Sequence, residues 1–194
     1  MPETYDLIIR GGTVVNHDGI GQTDVGVRDG RTACIGDLGQ ADAGEVIDAT
    51  GLHVLPGVID SQVHFREPGA EHKENLEAGM AGAALGGVTA IFEMPNTKPS
   101  TTTPEAIRDK LDRAQGRAAV DHAFYVGAAA ENTRELAELE LLPGVAGVKI
   151  FMGASTGNLL VPDDPSILAV LKSGRRRVAV HCEDEPRMNE REGL

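Results

Sequence analysis

A strand-like apolar run returns at a near-regular interval through most of this chain. Such runs begin near residues 54, 88, 122, 145 and 178, at spacings of 34, 34, 23 and 33 positions. Each gap holds one segment with helical patterning: Asn75 to Leu85, Thr103 to about Gln115, Asn132 to Leu142 and Asp164 to Leu171. The second of these opens with an N-cap residue followed by proline, Thr103-Pro104, a pairing that suits the orphan N–H groups of a helix start, and the last also has proline, Pro165, in its first turn. A strand–helix alternation of this kind requires a parallel sheet with helical crossovers. Two architectures fit it, an open doubly wound sheet and a (β/α)8 barrel. The alternating part covers 141 residues against about 250 for a complete barrel. A barrel reading therefore gives four full units and a fifth strand, its first half.

Residues 1–53 follow a different rule. Leu7-Ile8-Ile9, Val14-Val15, Val25-Gly26-Val27, Cys34-Ile35 and Val46-Ile47 are short β-type runs broken by glycine-containing turns, and Asp29-Gly30 is a hairpin signal. No 3.6-residue period appears among them. The expected organisation is a small all-β module over 1–53 followed by an α/β region over 54–194.

Composition narrows the function classes. The formal net charge is −12, which repels phosphates and argues against nucleic-acid or anionic-membrane partners. The basic run Arg175-Arg176-Arg177 reads as a solvated helix end or loop. Aromatic residues make up 3% and tryptophan is absent, so the core must be aliphatic. Cys34 and Cys182 form neither a CxxC pair nor a disulfide framework. The acidic N-terminus is unlike a signal peptide, and no stretch approaches the ~18 apolar residues of a membrane span. The expected location is the cytoplasm.

Chemistry in either architecture gathers at the carboxyl ends of the strands, and these ends are polar. Gln62 and His64 follow the first strand, two residues apart, a spacing that puts both side chains on one strand face. His181 ends the fifth strand. Lys149 sits inside an apolar strand between Val148 and Ile150, where an ammonium must be paired, deprotonated or modified. Arg66 and Asn96 follow adjacent strands; the first offers a two-pronged donor for a carboxylate. Local alternatives remain open, a salt bridge from Arg66 to Glu67 or Glu71 and an Asx-turn at Asn96. Gly153-Ala154-Ser155-Thr156-Gly157 lacks the Gly-Lys-Ser/Thr ending of a phosphate loop and reads as an ordinary loop.

Four segments in order resemble the motifs of dihydroorotases in the amidohydrolase superfamily: Pro56-Gly57-Val58-Ile59-Asp60-Ser61-Gln62-Val63-His64-Phe65-Arg66-Glu67-Pro68-Gly69, Glu93-Met94-Pro95-Asn96-Thr97, Gly147-Val148-Lys149-Ile150-Phe151-Met152-Gly153 and Val180-His181-Cys182-Glu183-Asp184. The run Asp6 to Val15 is similar to the β-sandwich that precedes the barrel in that superfamily.

The resemblance implies a small N-terminal β-sandwich module followed by the first half, about five strands, of a (β/α)8 TIM-like barrel. It implies one or two zinc ions held by His64, Lys149 and His181, with Lys149 as a carbamate. Arg66 and Asn96 match the pair that grips a substrate carboxylate. The implied reaction is reversible zinc-dependent hydrolysis of dihydroorotate to carbamoyl-aspartate in pyrimidine biosynthesis. An allantoinase- or hydantoinase-type cyclic amidase is the alternative. A catalytically inactive, dihydroorotase-like partner of aspartate transcarbamoylase is another. A carboxylated cyclic ureide as substrate and a homo-oligomeric state are further expectations. Gln62 departs from the family's His-x-His, since an amide oxygen is a poorer zinc ligand than imidazole. The family's general base and a later ligand histidine fall beyond Leu194, so residues 1–194 alone are expected to be inactive.

Overall fold

The computed structural model describes residues 4–153 and 158–192, in two compact units, Met1–Gly57 and Val58–Leu194. Residues 154–157 of the glycine-rich loop lie outside the described residues.

The first unit is a five-stranded sheet. β1 (Thr4–Asn16) pairs antiparallel with β2 (Gly19–Arg28), and β2 pairs antiparallel with β3 (Arg31–Gly36). β4 (Asp42–Asp48) and β5 (His53–Val54) both run parallel to β1. The β2–β3 connection is the Asp29-Gly30 turn, with φ of +52° and +68° at its two residues. Positive φ at both central positions gives the turn the twist that antiparallel strands require. Tyr5, Ile8 and Leu38 form the core of this unit, with Cys34, Ala41 and Ala43 packed against it. Val54, expected to open the α/β region, instead pairs with Val14 of β1, next to the His53–Thr13 pair. Pro56 lacks an N–H for a ladder, so the next strand starts only after it.

The second unit is the expected alternation. β6 (Val58–Val63), β7 (Val88–Glu93), β8 (Asp121–Gly127), β9 (Val145–Phe151) and β10 (Val178–His181) form one parallel sheet in the order β10-β9-β8-β7-β6. The helices α1 (Leu76–Leu85), α2 (Pro104–Ala114), α3 (Leu136–Leu139), α4 (Asp164–Ser173) and α5 (Glu185–Arg191) follow the strands in turn. The sheet is curled, a five-strand half-barrel. Ile91, Phe124, Val126, Val148 and Ile150 project from alternate positions into the core shared with Leu76, Met80, Ile107, Leu136 and Val170. The intervening positions therefore face the other side of the sheet. There Phe92 and Tyr125 meet edge-on, with ring centroids 6.3 Å apart, and Lys149 and Phe151 follow along β9.

Helix starts obey the capping rule. Asn75, Thr103 and Asp163 each accept a backbone N–H three residues on. The segment expected to be helical over 132–142 holds only the four residues of α3. Asn132 is the reason: its side chain accepts from Ala129 N and donates to Thr102 O and Gly127 O, fixing a loop that competes with a helical start. The sequence reading has no counterpart to α5, whose Asp184 cap accepts from Arg187 N and whose first turn contains Pro186. Among the described residues no helix is long and apolar enough to cross a membrane.

Candidate active site

The strand order brings the carboxyl ends of β6, β7, β9 and β10 to one rim of the half-barrel. His64 stands just past β6 and is half-buried. Its Nδ1 lies 2.8 Å from Oδ1 of Asn96, in the loop after β7. An amide oxygen only accepts, so Nδ1 carries the proton and Nε2 keeps a free lone pair. That is the tautomer a metal ligand needs, fixed by a neighbour in the usual way. Burial pushes the His64 imidazole below its ordinary pKa, against the Asn96 hydrogen bond; the charges of Arg66, Lys149 and His181 add to the effect. A neutral imidazole is thus favoured.

The Asn96 loop is braced on both sides. Met94 N donates to Val63 O beside His64, and Thr97 Oγ1 donates to Pro99 O. Thr97, rather than Asn96, makes the local turn ahead of Pro99. Oδ1 of Asn96 is committed to His64; the expected pairing with Arg66 on a substrate carboxylate would use the Nδ2 donor, which that contact does not occupy.

Arg66 is half-buried and makes no hydrogen bond or ion pair among the described residues. The carboxylates next to it have other partners. Glu67 receives Arg117 Nη1 at 2.9 Å and Nη2 at 3.0 Å, and also the Leu76 N–H at 2.9 Å. Arg113 lies 3.8 Å from Glu71. The local salt-bridge reading of Arg66 therefore fails, and its guanidinium is left for an external anion.

Lys149 is 1% exposed. Among the described residues it has no carboxylate and no hydrogen-bond acceptor; its Nζ sits 5.0 Å above the Phe151 ring. The same ring packs against His181, centroid to centroid at 5.9 Å, so Phe151 touches both the lysine and the second imidazole. Burial lowers the Lys149 pKa, as an unpaired buried ammonium requires. A contrasting lysine, Lys110 of α2, is fully buried but donates to Glu93 Oε2 at 2.6 Å and to Met94 O at 3.2 Å. Burial raises the Glu93 pKa to about 7 even beside Lys110.

His181 is about a third exposed, yet its Nε2 is buried and lacks a hydrogen bond; Glu183 Oε2 stands 3.2 Å away in the same condition. The sequence reading passed over Glu183, although its spacing of two from His181 was the signal. Gln62 differs from expectation. The β6–β7 register is irregular between Asp60 and Val63, and Asp60 Oδ1 accepts the Gln62 N–H at 3.0 Å. Regular alternation therefore does not carry from Gln62 to His64, and Gln62 is exposed.

Among the described residues, no three His, Cys, Asp or Glu side chains form a ready-made metal cluster. The donors present are nonetheless suited to a divalent cation: one imidazole nitrogen freed by its tautomer, a second buried without a hydrogen bond, and a buried amine that becomes an anionic oxygen ligand if carbamylated.

Comparison with known proteins identifies the family. The chain is 41% identical over 163 residues to an allantoinase from Escherichia coli, a match covering 83% of this chain and 35% of the relative. The L-hydantoinase (dihydropyrimidinase) from Arthrobacter aurescens superposes with a TM-score of 0.85 at 31% identity, over 98% of this chain and 45% of that one. The dihydropyrimidinase from Brevibacillus agri gives 0.78 at 31%, over 94% and 41%. The chain thus spans about a third of the length of the curated relatives it matches. The dihydro-orotase-like family profile matches residues 51–154, more than half of the sequence, and the chain belongs to that family.

Proposed function

We propose that this chain carries part of the active site of a metal-dependent cyclic amidase of the allantoinase–hydantoinase type. The observation that carries the reading is Lys149, a buried amine with no carboxylate among the described residues, on the strand next to the one that ends in His181. The narrower dihydroorotase reading has less support, because the relatives named above are allantoinase and hydantoinases. One feature still favours a carboxylated ring as substrate, the unpaired Arg66 guanidinium.

In this reading His64, through Nε2, and His181 are ligands. Lys149 in its neutral form adds carbon dioxide: a bond forms between Nζ and carbon, one proton leaves, and the product is an anionic carbamate. A divalent ion such as zinc, when bound, polarises a ring carbonyl and lowers the pKa of water. Asn96 holds the His64 ring and its tautomer. Phe151 shields the Lys149 amine from water. Arg66 receives negative charge, either a substituent carboxylate or the one created when a cyclic amide opens.

The test is turnover of allantoin, hydantoin, dihydropyrimidines and dihydroorotate by the intact protein, with metal content measured in parallel. Ring opening of allantoin or hydantoins together with bound zinc supports the proposal. Exclusive turnover of dihydroorotate would favour the second reading. Absence of both bound metal and turnover would reject both.

A further inference from the structure

We propose that Glu183 is a direct carboxylate ligand of the same metal centre, sharing one ion with His181; the inference rests on the metal reading above. Glu183 Oε2 and His181 Nε2 are 3.2 Å apart, and neither atom makes a hydrogen bond although both are buried. Two buried acceptors so close repel one another unless a proton or a cation lies between them. Bonds of about 2.0–2.2 Å to nitrogen and oxygen in a tetrahedral zinc site put neighbouring ligand atoms about 3.3–3.5 Å apart. The observed separation is close to that edge, and its alignment is not that of a hydrogen bond.

A second observation concerns how Glu183 is seated. Gly153 follows β9, the strand of Lys149. A Cβ at residue 153 would stand 2.8 Å from Glu183 Cβ, 2.8 Å from Glu185 Oε2 and 3.2 Å from Glu183 O. The missing side chain lets the Glu183 turn close against the end of β9. Cys182 between the two ligands is exposed. The third contributor is Lys149, buried and unpaired on the neighbouring strand, where Ala179 lies opposite it in register. Glu183 also supplies the anionic donor that Gln62, an exposed neutral amide, does not.

The experiment is zinc and cobalt titration of the metal-stripped intact protein against a competing chelator, with the visible spectrum of the cobalt form recorded. Variants are Glu183→Gln, which keeps the shape, Gly153→Ala, which displaces Glu183 without removing it, and His181→Ala as reference. Glu183→Gln should weaken zinc binding by more than the ~10–100-fold that loss of an outer-shell partner costs and should shift the cobalt absorption bands. Gly153→Ala should weaken binding by a smaller factor. Circular dichroism of the stripped proteins checks folding, and Gly153→Ala serves if Glu183→Gln misfolds. An unchanged cobalt spectrum in Glu183→Gln, with binding abolished in His181→Ala, would overturn the proposal and leave a simple His–Glu contact at an intact metal site. No binding by the wild type, or none of it lost in His181→Ala, would remove the metal reading itself.

Discussion

Two lysines in this half-barrel are equally hidden from water and differ in everything else. Lys110, 0% exposed, lies between α2 and β7 with a carboxylate and a carbonyl oxygen in reach. Lys149, 1% exposed, lies on the opposite face of the sheet with an aromatic ring and no anion. A buried charge without a counter-charge is unfavourable by several kcal/mol or loses its proton. Lys110 is thus explained by the fold: it ties α2 to the end of β7 and braces Met94, two residues before Asn96. Lys149 is explained by nothing inside the described residues, and the fold contains a reason to keep it only if something else completes it. Burial alone is not a functional signal; burial without a partner is.

The largest effect should come from breaking the Glu93–Lys110 pair on one side only; Glu93 Oε1 is buried without a hydrogen bond even with the lysine in place. Lys110→Met leaves the Glu93 carboxylate buried and alone, and should destabilise the protein by about 3–5 kcal/mol, read from the denaturant midpoint. Glu93→Leu combined with Lys110→Met should recover most of that loss, because two apolar groups replace two desolvated charges. If Lys110→Met were neutral, the contrast between the lysines would collapse. Lys149→Met should behave in the opposite way. It removes an unpaired amine, so the metal-free, carbon-dioxide-free protein should be as stable as wild type or gain about 1 kcal/mol, while bound zinc is lost.

The pH dependence sharpens the contrast, because the two sites have opposite signs. The folded Glu93 pKa, about 7, lies above the model-peptide value of 4.5. The folded state then holds its proton longer than the unfolded chain, and the stability tied to Glu93 falls as pH rises from about 4.5 through 7. In Lys110→Met no cation opposes this, so the deficit relative to the double variant should widen over that range. The Lys149 pKa is lowered: the unfolded chain binds the extra proton, so wild-type stability relative to Lys149→Met should rise as pH approaches 10.5, the ordinary lysine value. Chemical denaturation at a series of pH values gives both slopes.

How much of this was legible in the sequence follows from how local each signal is. The strand period, the Thr103 cap and the first-turn prolines Pro104 and Pro165 are local, and the sheet forms where they point. The Lys149 anomaly was visible because a charge between Val148 and Ile150 contradicts its surroundings. The Glu93–Lys110 pair was not, since its partners are seventeen residues apart on different elements and only the β7–α2 packing brings them together. The contact of the Asn96 amide oxygen with His64 was not legible either, across a separation of thirty-two residues. The Gln62–His64 pairing on one face failed for a related reason. It assumed unbroken alternation, and the irregular register after Asp60 interrupts it.

The smallest expected effects compare two arginines in the same way as the lysines. Arg117 forms a two-pronged pair with Glu67, a carboxylate 4% exposed that also caps the Leu76 N–H. Glu67 follows Arg66 directly, so this pair fixes the loop that presents the free guanidinium. The carboxylate has its pKa held below the usual range, chiefly by the Arg117 hydrogen bonds. Arg117 is itself 31% exposed, and solvent screening limits the strength of the contact. Arg117→Lys keeps the charge but loses the fork, and should cost about 1 kcal/mol. Arg66→Lys breaks no contact within the described residues and should stay within about 0.5 kcal/mol of wild type. Its effect should appear instead in KM for a carboxylated ring, with less change for an uncharged one. Equal KM changes for both ring types would mean that Arg66 shapes the loop like its neighbour Glu67, and that the free guanidinium is not an anion receptor.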